Sequence, residues 1–134
     1  MLRYAGLWRF LGYGYWAIEE QASGQFIGEL GFADFKRDGV PMLDGVPELG
    51  WALVPQAHGK GFATESVRAA LAWADDHVNE PRTMCLINVD NAPSIRVAEK
   101  TGYQQIASLS YAGAAALVFE RRRPQRSPRP KVHA

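Results

Sequence analysis

The sequence predicts an α/β protein with one mixed, mostly antiparallel sheet and helices packed on it. Three observations point to this fold class. Apolar and polar residues alternate over residues 48–54, as in a half-buried strand. Apolar residues recur at helical spacing over 62–77. The run 83–89 is almost continuously apolar, which is typical of a strand covered on both faces. These segments alternate in type along a chain of 134 residues, so they predict one layered domain.

The elements are expected in the order β-β-β-α-β-α-β-β. Residues 2–11 favour the last turns of a helix before the first strand. The polar stretch 21–24 predicts a hairpin turn between two aromatic-rich strands. Paired Asp-Gly steps and prolines predict a loop over 36–47. Strands are expected at 13–19, 25–35, 48–54, 83–89, 103–110 and 114–120, and helices at 62–77 and 92–101.

Local signals support the boundaries of the later elements. Pro55 ends the third strand, because proline cannot continue a ladder of hydrogen bonds. Asn91 is a good N-cap for the second helix, and Gly102 is the expected stop at its C-terminal end.

Composition excludes several classes of protein. With 47% hydrophobic and 22% charged residues, the chain is neither fibrous nor wholly disordered. No apolar run approaches the 18 or so residues that a membrane helix needs, and the N-terminal residues do not resemble a secretory signal. We therefore expect a cytoplasmic protein. The single cysteine, Cys85, cannot form an internal disulfide.

Charge is divided unevenly along the chain. Residues 1–120 carry nine basic and 14 acidic residues, whereas residues 121–134 carry six basic residues and no acid. We expect a single domain over residues 1–121 and a disordered basic tail over residues 122–134. Contact with nucleic acid is expected only through this tail, for which a merely solubilising role is the alternative.

The most informative segment joins the third strand to the first helix. Gly59 and Gly61 let the backbone approach a ligand closely, and the helix start adds unpaired N–H groups and partial positive charge. This combination predicts an anion site, to which Lys60 and the Thr64 hydroxyl can add contacts. The spacing fits neither a Walker A loop nor a dinucleotide fingerprint, and an ordinary tight turn is the alternative.

Two motifs, taken together, resemble a known family. Gln56, Gly59 and Gly61 form Q-x-x-G-x-G before F-A-T-E, and N-x-x-S-x-x-x-A-x-K-x-G-Y spans Asn91 to Tyr103. In this order and spacing, over roughly residues 7–121, they are similar to the GNAT superfamily of acetyl-CoA-dependent N-acetyltransferases. The sequence P-E-L-G-W before the loop is similar to the RimJ/RimL branch, the acetyltransferases of ribosomal-protein N-termini.

The resemblance implies acetyl-CoA as co-substrate and no metal. The loop would wrap the diphosphate of the coenzyme. The pantetheine arm would pair like an added strand with the backbone of Leu53 and Val54, at the end of the third strand. A backbone N–H there would polarise the thioester carbonyl. The implied coenzyme-binding residues are Leu53, Val54, Gln56, His58, Gly59, Lys60, Gly61, Phe62, Ala63, Thr64 and Asn91.

The resemblance also implies direct attack of a neutral amine on the thioester, which calls for a base and an acid. Glu48 is the candidate base, acting directly or through a water molecule; the alternative is a solvent-facing charge at a strand start. Many family members carry the acid as a tyrosine at the position of Ala98, so this chain departs from that pattern. Ser94 is the candidate proton donor, with simple capping of the helix as the alternative.

A second departure concerns the N-terminal side. Family members begin with a strand and one or two helices before the region matching Trp8, and we expect this chain to lack them. An exposed sheet edge would then favour a homodimer. The acceptor is expected to be a primary amine, either a protein or peptide N-terminus or a small amine. The alternative function is a non-catalytic acyl-CoA-binding module.

Overall fold

Seven strands and two helices make up the described part of the chain. The structure, a computed structural model, describes residues 2–4, 14–34 and 40–124. Single 3-10 turns lie at Pro41–Leu43 and Pro55–Ala57. The strands are β1 (Leu2–Tyr4), β2 (Tyr15–Glu19), β3 (Phe26–Ala33), β4 (Glu48–Leu53), β5 (Arg82–Asn88), β6 (Gln104–Tyr111) and β7 (Ala114–Arg122), and the helices are α1 (Phe62–His77) and α2 (Ala92–Lys100).

The strands form one sheet in the order β1-β2-β3-β4-β5-β7-β6. Strands β4 and β5 are parallel, with α1 in the crossover between them, and the other neighbours in this order pair antiparallel. The predicted fold class, a mixed and mostly antiparallel sheet with helices packed on it, is confirmed.

The start of the chain differs from the expectation. Leu2–Tyr4 is a strand that pairs with β2, with Arg3 opposite Ala17, and not part of a helix. The local apolar pattern of 2–11 fits a helical turn, but hydrogen bonding to the edge of β2 decides the conformation of residues 2–4. The rest of the predicted helix, residues 5–11, lies outside the described residues. Strand β1 therefore covers the sheet edge beside β2 that was expected to be exposed.

Two apolar layers cover the sheet. Both helices contribute to the larger layer, and the loop around the 3-10 turn at Pro41–Leu43 covers the other face of the second half of the sheet. The predicted buried stripe of α1 is confirmed at Val67, Ala70, Leu71 and Ala74. Trp16 packs edge-on against Trp73 of α1, at 5.1 Å between ring centroids.

The end of β7 holds the C-terminal end of α1. Arg121 donates two hydrogen bonds to the Asp75 carboxylate, at 2.9 and 3.0 Å. Arg123 donates from its side chain to the Val78 carbonyl at 3.1 Å, and its backbone N–H bonds the Pro81 carbonyl at 2.7 Å. The first two residues of the predicted tail 122–134 therefore belong to the fold, because they continue the ladder and these contacts. Residues 125–134 lie outside the described residues.

Within residues 14–34 and 40–124, no helix is both long and apolar enough to cross a membrane.

Candidate functional site

A cleft opens where β4 and β5 separate. Their one register pair is Glu48 with Met84, and the Met84 N–H donates to the Pro47 carbonyl at 3.0 Å. Beyond this pair the two strands diverge and leave a cleft of about 600 Å³. The described residues that line it are Trp51, Ala52, Leu53, Ala57, His58, Gly59, Gly61, Phe62, Ala63, Thr64, Asn91, Pro93, Ser94, Arg96, Val97 and Lys100.

The glycine loop forms one wall of this cleft. Gly59 and Gly61 have φ of +75° and +80°, and Gly61 is the N-cap of α1 with no side-chain cap. The six N–H groups of residues 59–64 donate to no acceptor in the described part of the chain. A helix start with free N–H groups and no capping side chain is suited to an anion. The predicted arrangement at this junction is therefore present.

The free edge of β4 forms the floor. The Val54 N–H donates to the Ile27 carbonyl at 2.8 Å. Because donors alternate in an antiparallel ladder, the backbone groups of Trp51 and Leu53 point away from β3 and toward the opening. The Val54 N–H is thus not available for a ligand, which corrects one of the two expected donors; the Leu53 N–H faces the cleft.

A side chain already bonds this edge. Nε2 of His58 lies 3.0 Å from the Leu53 carbonyl oxygen, so the ring nitrogen is the donor. His58 was expected to line the coenzyme site, and it does line the cleft. Its bond to Leu53 occupies a carbonyl that an added strand would use.

Asn91 and Ser94 lie at the start of α2, on the opposite wall. Oδ1 of Asn91 accepts a hydrogen bond from the Ser94 N–H at 3.3 Å, so the predicted N-cap is confirmed. Both residues also line the cleft, and the Asn91 NH₂ group makes no hydrogen bond to a described residue. Asn91 therefore caps α2 through its side-chain oxygen and still offers its NH₂ group to the cleft.

Glu48 is not the solvent-facing charge that was the alternative for it. Its side chain is 3% exposed, because it lies inside the sheet between β3 and β5. It does not line the cleft, and it shares the face of β4 that carries Gly50 and Ala52. The two candidate catalytic residues, Glu48 and Ser94, are therefore not brought together on one wall.

Two buried groups of the core, Cys85 and Tyr103, stay protonated at neutral pH. Burial raises the pKa of the Cys85 thiol, the Tyr103 side chain lowers it through a hydrogen bond, and the Glu48 charge raises it further. Burial also raises the pKa of Tyr103, whose hydroxyl lies 2.7 Å from the Thr83 hydroxyl. Cys85 is thus an inert buried thiol.

Several cleft residues escaped the sequence analysis. Arg96 and Lys100 project from one face of α2 together with Pro93 and Val97, at the spacing 93, 96, 97 and 100 of a single helical stripe. Conversely, three expected binding residues, Val54, Gln56 and Lys60, do not line the cleft. No group of three or more metal-ligating side chains occurs among the described residues.

Comparison with known proteins identifies the family to which this fold belongs. Residues 2–104 match the family model described as the acetyltransferase (GNAT) domain. The chain belongs to the GNAT acetyltransferase family. In this family the acetyl donor is acetyl-CoA.

Individual relatives agree with this assignment. A structure described as a putative GnaT-family acetyltransferase from Bordetella pertussis is 34% identical, with a TM-score of 0.79, over 86% of this chain and 69% of that one. An acetyltransferase structure from Agrobacterium tumefaciens is 28% identical, with a TM-score of 0.68, over 84% of this chain and 63% of that one. The Bacillus subtilis protein YkkB, described as uncharacterized, is 28% identical over 113 residues, which are 83% of this chain. The match spans 63% of YkkB.

Proposed function

We propose that this GNAT domain moves the acetyl group of acetyl-CoA to a primary amine by direct attack of the amine on the thioester. One observation carries the proposal: residues 59–64 have six consecutive unpaired N–H groups, and all of these residues except Lys60 line a cleft that opens between two splayed strands. Membership of the acetyltransferase family supports the class of reaction.

The diphosphate of the coenzyme would lie on the glycine loop. Gly59 and Gly61 give it close access to the backbone, since an added Cβ at either position meets no atom within 4 Å. The free N–H groups at the start of α1 donate to its oxygens, and the helix dipole favours their negative charge. Gln56 and Lys60 flank the loop and add contacts from outside the cleft wall.

The pantetheine arm would follow the free edge of β4. The Leu53 N–H and carbonyl face the opening, so an extended amide chain can add there as a further strand. His58 has to release the Leu53 carbonyl for this pairing. The NH₂ group of Asn91 donates to the same arm from the opposite wall. The Leu53 N–H, in place of that of Val54, is the donor for the thioester carbonyl.

Proton transfer is assigned to Glu48 and Ser94. Bound acetyl-CoA supplies an activated acyl group with a thiolate as leaving group. Glu48 would take the proton of the attacking amine through water, because its carboxylate lies on the Gly50 and Ala52 face rather than in the cleft. The Ser94 hydroxyl, at the cleft, would return a proton to the sulfur.

The acceptor is proposed to be a primary amine, either a protein or peptide N-terminus, as in the RimJ/RimL branch, or a small amine. A cytoplasmic location completes the proposal, whereas the homodimer loses its basis, because β1 covers the sheet edge beside β2 that was expected to be exposed.

Calorimetric titration with acetyl-CoA and CoA, followed by a thiol-release assay over a panel of amines and N-terminal peptides, tests the proposal. Saturable binding and amine-dependent thiol release are expected. Absence of binding by both ligands overturns it.

The role of Glu48 is tested with Glu48→Gln, which keeps the size of the buried side chain. We expect turnover to fall by about a hundredfold or more while the Kd for acetyl-CoA stays within about twofold of wild type. Glu99→Gln, on the exposed side of α2, is the matched control. It should keep the turnover and the Kd for acetyl-CoA of wild type. Unchanged turnover in Glu48→Gln removes the base assignment.

A non-catalytic acyl-CoA-binding module is the second candidate. The observation in its favour is Ala98, which is 0% exposed and carries no hydroxyl where many family members have a tyrosine. Tight binding of acetyl-CoA without thiol release from any amine in the panel would favour this module.

A further inference from the structure

Two basic side chains on α2 face the cleft with no acidic partner among the described residues. Arg96 and Lys100 are four residues apart, so they lie one above the other on the same helix face. Both line the cleft, and neither has an ion-pair partner among the described residues. The described lining contains no Asp or Glu, although residues 1–120 carry more acids than bases. This wall is therefore a local concentration of unbalanced positive charge.

These cations lie apart from the glycine loop along the chain and on the other wall. The loop offers N–H groups at residues 59–64 at the N-terminal end of α1, whereas Arg96 and Lys100 belong to the middle and last turn of α2. A ligand in the cleft thus meets two anion-binding surfaces of different chemistry. One consists of backbone amides and the other of two charged side chains.

The proposed coenzyme carries two separate anionic groups. Its diphosphate is one, and the monoester phosphate at the 3′ position of its ribose is the other. A phosphate monoester carries a charge of about −1.5 to −2 at pH 7, which a pair of cations balances. The loop amides donate to the diphosphate and are not available for this second group. A guanidinium and an ammonium together can donate several hydrogen bonds to it.

We propose that Arg96 and Lys100 bind the 3′-phosphate of the coenzyme and so select acetyl-CoA over its 3′-dephospho form. The inference rests on the proposed function, since it assigns a part of the same ligand to two residues that are not among the expected coenzyme-binding residues. It makes this pair a specificity determinant of the coenzyme and leaves the acetyl transfer itself to other residues.

The test compares acetyl-CoA with 3′-dephospho-acetyl-CoA by calorimetry in wild type, Arg96→Gln, Lys100→Gln and the double variant. Wild type should bind acetyl-CoA on the order of tenfold more tightly than the dephospho form, the range expected for two partly exposed charge contacts. The double variant should bring this ratio close to one, while its affinity for the dephospho form stays at the wild-type value. The single variants should fall between.

Arg68→Gln is the matched control, because Arg68 is exposed on α1, does not line the cleft and removes the same charge. It should leave the ratio unchanged. Thermal unfolding of each variant checks that these surface substitutions leave the fold intact.

Equal affinity of wild type for both ligands overturns the inference and leaves the proposed function standing. An equal loss of affinity for both ligands in the double variant also overturns the inference, because it would mean that Arg96 and Lys100 bind the diphosphate. Absence of binding by either ligand to wild type instead refutes the proposed function, and this inference with it.

Discussion

Replacing Gly61 by alanine separates the contribution of the glycine loop to folding from its contribution to binding. Gly61 has φ of +80°, and an added Cβ would meet no heavy atom within 4 Å. The substitution therefore strains the backbone without a clash. Holding alanine in the left-handed region costs about 1–2 kcal/mol. In a domain of this size that lowers Tm by roughly 5 °C.

The effect on binding has a different origin. The new methyl group would stand in the open space from which a diphosphate reaches the N–H groups of residues 59–64. Hydrogen bonds to a charged group contribute about 1.5–3 kcal/mol each. Loss of one such bond weakens acetyl-CoA binding about 10- to 150-fold. Calorimetry well below the Tm of the variant measures this loss.

Gly24→Ala is the matched control for the strain alone. Gly24 has φ of +70°, has no atom within 4 Å of an added Cβ, and lies in the turn between β2 and β3, away from the cleft. It should lower Tm by a similar amount and leave the Kd for acetyl-CoA unchanged. Wild-type affinity in Gly61→Ala, or an equal loss of affinity in Gly24→Ala, would refute the assignment of the loop.

Two other predictions concern single side chains. His58→Ala should tighten acetyl-CoA binding about two- to tenfold. The substitution frees the Leu53 carbonyl from a hydrogen bond that contributes about 0.5–1.5 kcal/mol. Weaker binding would instead mean that the His58 ring contacts the coenzyme. Burial raises the pKa of both Cys85 and Tyr103, so the folded chain keeps protons that the unfolded chain releases above about pH 9. Stability should be full below that pH and fall above it, by at most about 1.4 kcal/mol per pH unit for each group, as followed by urea denaturation. Cys85→Ala should flatten this decline, and an unchanged slope would contradict the role of the thiol.

Much of the fold was predictable because its local signals agree with the final packing. The apolar stripe of α1 gave the helix bounds 62–77 that the structure has. The capping residue Asn91 likewise predicted the start of α2, since its side chain needs only a neighbour three residues away. The glycine loop was found for the same reason: its N–H groups are unpaired as a consequence of the local strand-to-helix junction.

Other features depend on contacts between distant segments. The burial of Glu48 follows from strands on both sides of β4, which no local pattern of charge reveals. The polarity of Arg96 and Lys100 fits any solvated helix face, and only the position of α2 relative to β4 brings them to the cleft. The bond from Val54 to Ile27 depends on the register of two strands far apart in sequence. Residues 2–4 illustrate the same limit, since pairing with β2 determines their conformation.

The arginine contacts at the end of β7 bear on how this protein is handled in the laboratory. Arg121 and Arg123 tie the last strand to the end of α1 that lies opposite the glycine loop. A chain cut after residue 120 would lose these ties, and the Asp75 carboxylate would lose both hydrogen bonds from Arg121. An affinity tag or a fluorescent fusion joined at the C-terminal side therefore belongs beyond Arg123. Shortening the basic segment for crystallisation should stop at the same point.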